Sequence, residues 1–131
     1  MKMETQNAIK ILLRILSMVI FLHLLVMLKI ISYKIAWGGR LQNDEQMYMF
    51  ETLSIIINLL LGLILLMKGR YIQYQFKEKT LNILLWIFLM LFILNTVGNL
   101  FSETNFEKLF SLLTLVFASL IWVILRPKVT N

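Results

Sequence analysis

Polar side chains set inside long apolar stretches are the residues of this 131-residue sequence with types and spacing suited to chemistry. Glu51, Ser54 and Asn58 follow at i, i+3 and i+7, one face of a helix. Asn95 and Asn99 stand one turn apart, with Glu103 a turn further on and Gly98 beside them, where a small residue permits close approach. An ionisable group in such surroundings is a functional candidate by default, which puts weight on Glu51. Between these stretches lies Trp37-Gly38-Gly39-Arg40, in which two successive glycines let the backbone fold tightly. Together these residues predict a polar ligand pocket lined by Glu51, Asn58, Asn95 and Asn99 and roofed by segment 37–40, with Arg40 neutralising Glu51 or a ligand anion.

Three further residues carry less weight. Glu107 follows Thr104 at T-x-x-E spacing, so a capping box accounts for it without any function. His23 is the only histidine; packing or an interhelical hydrogen bond is its expected role, ahead of proton transfer. Arg14 is expected to snorkel to headgroups. With no cysteine and no second histidine, disulfide, thiol and histidine-paired metal or haem chemistry have no residues to use, and no metal or cofactor is expected. Nucleophile elbow, H-E-x-x-H and phosphate-cradling loop are absent from the sequence, which therefore reads more readily as non-enzymatic.

The elements that must position these groups follow from composition. Apolar residues make up 60% of the chain and charged ones 15%, and the apolar residues fall in four long blocks. A helix needs about 20 mostly apolar residues to cross a bilayer, and runs of that kind lie at about 11–31, 47–67, 81–101 and 106–125. The expectation is an all-α, four-helix transmembrane bundle forming one domain over residues 1–131. Asn43 with Asp44, Glu45 and Gln46 suits a helix start. Lys68 and a left-handed Gly69 suit an end, Thr80 an N-cap, Thr104 another, and Pro127 a stop. Ser111, Thr114 and Ala118 form a small-residue stripe suited to tight packing.

Charge gives the orientation. Lys2, Lys10, Arg14, Lys68, Arg70, Lys77, Lys79, Arg126 and Lys128 fall on one side, while Lys29, Lys34, Arg40 and Lys108 fall on the other. The positive-inside rule then predicts both termini in the cytoplasm and the polar pocket in the outer half. Tyr33, Trp37 and Tyr48 outside, and Tyr71, Tyr74 and Trp122 inside, fit interfacial belts. The net charge of +6 flanks apolar spans instead of forming a soluble patch, so acidic lipid, not nucleic acid, is the expected counter-charge.

Three blocks, Trp37-Gly-Gly-Arg-Leu41, Phe50-Glu-Thr-Leu-Ser-Ile-Ile-Ile-Asn58 and Asn95-Thr-Val-Gly-Asn-Leu-Phe-Ser102 followed by Phe106-Glu-Lys108, resemble a family of small uncharacterised bacterial four-span integral membrane proteins. The resemblance covers about residues 30–125. It implies a bacterial inner-membrane location, puts Glu51, Asn58, Asn95, Asn99 and Glu107 on motif positions, and brings no activity with it. Small multidrug transporters share the size and helix count, but their first-span acidic residue is missing here. The expected function is binding of a lipid, a small amphipathic ligand or a partner helix, with a homo-oligomer or partner membrane protein as possible company. The alternatives are a proton- or cation-coupled transporter using Glu51, and a lipid-acting enzyme using Glu51 or Glu107 as acid or base.

Overall fold

A computed structural model describes residues 4–37, 40–102 and 104–126. The described residues form five helices: α1 (Thr5–Met27), α2 (Tyr33–Trp37), α3 (Asp44–Lys68), α4 (Glu78–Leu100) and α5 (Asn105–Leu125). The chain is all-α, and the four long helices are long and apolar enough to cross a membrane. They form a ring in which α1 packs on α3, α3 on α4, α4 most extensively on α5, and α5 back on α1; α2 lies against α5. Contacts at the two ends show that neighbours run antiparallel. Gln6 donates to the Gly69 carbonyl, and Lys68 bonds Glu78 and Asn82 at one end. At the other end Thr104 donates to the Ile35 carbonyl at 3.0 Å.

Large apolar side chains such as Phe21, Leu60, Met90, Leu94 and Leu109 point outwards, the arrangement of a bundle solvated by lipid. In such a solvent the helices are held by close packing and interhelical hydrogen bonds. The α4–α5 seam shows both. Ser111, Thr114 and Ala118 are buried, and the Thr96 and Thr114 hydroxyls lie 2.8 Å apart across it. Gly62 provides the close approach of α3 to α1, since a Cβ there would stand 3.4 Å from Leu16. The main core, including Leu12, Leu65, Leu85 and Ile121, fills the half of the bundle towards the 69–77 loop and its middle; a smaller cluster of Val26, Leu41 and Met47 closes the opposite end.

Several expectations about helix ends are corrected. Helix α1 begins at Thr5, so that Lys10 is helical as well as Arg14, and it stops at Met27, short of residue 31. Glu78 opens α4 behind Lys77, which leaves Thr80 within the first turn instead of at the cap. Gly69 is right-handed, at φ −81°; the left-handed residue is Arg70, at φ 59°. Gly98 faces open space and brings no helix close. The short helix α2 has no counterpart among the expected spans because five residues carry too little periodicity. Asn43 caps α3 by accepting from the Gln46 N–H at 2.8 Å, and Thr104 caps α5 by accepting from Glu107. Gly38, Gly39, Glu103 and Pro127 lie outside the described residues.

Ile121 is fully buried and Met90 is 55% exposed on the outer surface. Truncating each to alanine is expected to separate them: Ile121→Ala loses about 2–5 kcal/mol through the cavity it leaves, and Met90→Ala changes stability by roughly 0.5 kcal/mol or less. Unfolding by added dodecyl sulfate, followed by circular dichroism, measures both.

Candidate functional site

Seven residues after its first, α3 presents Glu51 to the interior, with no exposed surface. A carboxylate there needs hydrogen-bond donors to offset its lost hydration. It finds one on each oxygen. His23 of α1 brings Nδ1 to within 2.6 Å of Oε2, and the Trp37 indole N–H of α2 donates to Oε1 at 2.6 Å. With the carboxylate ionised, the imidazole must carry its proton on Nδ1, which leaves Nε2 as the second ring position. Phe110 of α5 meets the His23 ring edge-on at 6.4 Å, and Phe50 packs on Trp37 at 5.8 Å.

Arg40 does not neutralise Glu51, contrary to the expectation. Its guanidinium lies over the Trp37 ring, 5.7 Å from the centroid, and reaches the start of α5, where Nη2 stands 3.2 Å from Glu107 Oε1. The same nitrogen donates to Asn99 Oδ1 at 3.3 Å and Nε donates to the Trp37 carbonyl. Glu107 is only 2% exposed, and Oε1 has the charge of Arg40 beside it without an aligned hydrogen bond. Its carboxyl is therefore more than the second half of a capping box: the Thr104 half forms, but the side chain turns to Arg40. Two acidic groups thus find hydrogen-bond or charge partners on three separate segments, which fastens α1, α2, α3 and α5 at one end.

Between these fastenings lies a half-open cavity of about 270 Å³. Its walls are mainly aromatic and aliphatic, from Val19 and Leu22 on α1 through Leu53 and Ile57 on α3 to Phe92 on α4 and Phe110 and Phe117 on α5. All six residues expected to bind a ligand, Glu51, Asn58, Asn95, Asn99, Arg40 and Trp37, line it, as does His23. Glu107 joins through Arg40. The three amides differ in what they have left to offer. Asn58, 7% exposed, donates from Nδ2 to the Ser54 carbonyl at 2.7 Å and has no partner at Oδ1 among the described residues. Asn99 accepts from Arg40 at Oδ1, leaving Nδ2, and the Asn95 side chain has no hydrogen bond to the described residues. Trp37, expected in the roof of the pocket, has its indole N–H turned to Glu51.

The remaining ion pair at this end, Lys29 with Asp44 at 2.5 Å, is exposed and lies beside the start of α3. The hydrogen bond to Asp44 raises the Lys29 pKa above its ordinary value, with the carboxylate's charge adding to it. Among the described residues no group of three His, Asp or Glu side chains converges as a metal site. Pairing of His23 with Glu51 was not legible in advance, because spacing fixes the face of each helix and not its neighbour. No known family model, curated protein or solved structure matches the chain.

Removing His23 strands half of a buried pair. His23→Ala is expected to cost about 3 kcal/mol, the low end for such losses because Trp37 still donates to Glu51. Adding Glu51→Leu to that variant restores most of the loss. Dodecyl sulfate unfolding of the two single variants and the double completes the cycle.

Proposed function

We propose that this chain is a multi-pass, non-enzymatic protein of the bacterial inner membrane that binds an amphipathic molecule in the cavity at its Glu51 end. The observation that carries the reading is the lining: apolar walls combined with amide atoms that have no partner among the described residues. A volume of about 270 Å³ falls just under the roughly 300–1,000 Å³ typical of pockets that enclose a drug-sized ligand. It suits the head and first segment of a longer molecule whose remainder lies outside.

The way in is between α3 and α4. At the 69–77 end these helices are tied by Lys68 to Glu78 and Asn82, whereas no side-chain hydrogen bond joins the described parts of α3 and α4 beside the cavity. The cavity-lining residues Phe50 and Leu53 on α3 and Asn95 on α4 are exposed. An opening between two lipid-facing helices admits a molecule sideways from the bilayer, keeping its chain in hydrocarbon throughout.

Basic residues support an orientation with both termini in the cytoplasm. Lys10, Arg14, Lys68, Arg70, Lys77, Lys79 and Arg126 belong to the end away from the cavity; Lys29, Lys34, Arg40 and Lys108 belong to the cavity end. The pocket is then an outer-leaflet site. A second reading, proton- or cation-coupled transport, draws on the contact of Glu51 with His23; it requires the carboxylate to leave both of its donors, whereas binding leaves them in place.

Ser54 is half-buried in the cavity lining and provides a way to fill it. Native mass spectrometry of the protein released from mild detergent is expected to show a discrete amphiphile adduct on wild type, reduced at least tenfold in Ser54→Phe. A wild-type spectrum without an adduct, after extraction that preserves annular lipid, removes the binding reading.

A further inference from the structure

We infer that the head of the bound amphiphile is uncharged and carries hydroxyl or amide groups, an inference that rests on the binding reading above. The charged groups at the cavity are already matched to one another. Glu51 has a donor 2.6 Å from each oxygen, His23 on one and Trp37 on the other. Arg40 stands against Glu107 at 3.2 Å and spends further donors on Asn99 and the Trp37 carbonyl. A ligand carboxylate or phosphate drawn to Arg40 meets a charge that Glu107, 2% exposed, already balances at 3.2 Å. A ligand ammonium seeking Glu51 would have to displace His23 or Trp37. A charged head of either sign thus finds no unbalanced counter-charge at the cavity.

Among the described residues, the groups left unused at the cavity that carry no charge of their own include amides. Asn58 offers an acceptor, Asn99 a donor pair, and Asn95 a complete amide. Asn95 and Asn99 lie four residues apart on α4, about 6 Å along its axis, with the exposed Gly98 between them in sequence. Asn58 faces the same cavity from α3. A head bearing two or more hydroxyls, or an amide, gives and accepts hydrogen bonds at such a set and needs no counter-ion. Burying a charge without a partner is far costlier than burying a hydroxyl that finds one. The discrimination therefore comes from what the site refuses as much as from what it bonds.

The test uses the full chain in phosphatidylcholine nanodiscs and three probes with the same twelve-carbon chain: monolauroylglycerol, laurate and dodecylamine. Occupancy is read by native mass spectrometry across a titration of each. Monolauroylglycerol is expected to bind at least tenfold more tightly than either charged probe, and Asn95→Leu, a change on an exposed position, is expected to remove most of that advantage. Ser54→Phe should abolish it, placing the probe in the cavity. Laurate or dodecylamine binding as tightly as the glyceride overturns the inference while leaving the pocket standing. A glyceride preference that survives both substitutions also overturns it, because the selecting site is then elsewhere. Failure of all three probes to bind wild type removes the amphiphile reading beneath it.

Discussion

A carboxylate with no exposed surface has to be answered by donors, and Glu51 takes both of its own from other elements. That requirement sets the geometry of one end of the bundle. The end of α1 must lie where His23 reaches α3, and the chain leaving α1 must return as α2 to bring the Trp37 indole inwards. Once Trp37 is fixed, Arg40 rests over its ring and extends to Glu107 on α5. The two carboxylates are thus linked through a stacked Trp–Arg pair. The arrangement trades stability for placement: well-packed apolar residues would hold these helices at least as firmly, but would leave no polar surface facing the cavity.

The opposite end is held differently. There the core is apolar and continuous, and side-chain bonds such as Gln6 to Gly69 and Lys68 to Asn82 stand at its edge. Tight packing at one end and a polar frame around space at the other give the bundle a closed base and a half-open top. Helices α3 and α4 show the contrast most clearly, being joined at the base and parted beside the cavity. The proposed entry of a molecule from the bilayer fits this division, because the walls could part without disturbing the core.

Much of this was legible in the sequence where physics is local. Four apolar blocks gave four long helices, Asn43 and Thr104 capped as their side chains predict, and the stripe of Ser111, Thr114 and Ala118 found a close neighbour in α4. The i, i+3, i+7 spacing also put Glu51, Ser54 and Asn58 around one cavity. Partnership was not legible. Arg40 is eleven residues from Glu51 and was set against it, yet meets Glu107; His23, given less weight as a lone histidine, supplies the contact that Arg40 does not. Such pairings depend on how helices rotate and how a loop folds back, which periodicity does not contain. The glycines misled for a related reason: small size permits a left-handed turn or a close approach, but Arg70 took the turn at the end of α3 and Gly62, not Gly98, met a neighbouring helix.

The claim on which the account depends is that Glu51 holds Trp37 inwards, and the indole N–H reports on it directly. The chain has three tryptophans, and Trp86 and Trp122 pack edge to face on each other away from this site, at 5.9 Å, so they provide internal references. Two-dimensional ¹⁵N–¹H spectra of the indole groups in detergent micelles should show the Trp37 resonance at a hydrogen-bonded, slowly exchanging position in wild type. In Glu51→Leu that resonance alone should move upfield and exchange quickly, with Trp86 and Trp122 unchanged. A Trp37 signal indifferent to the loss of Glu51, or three signals that move together, would contradict the account.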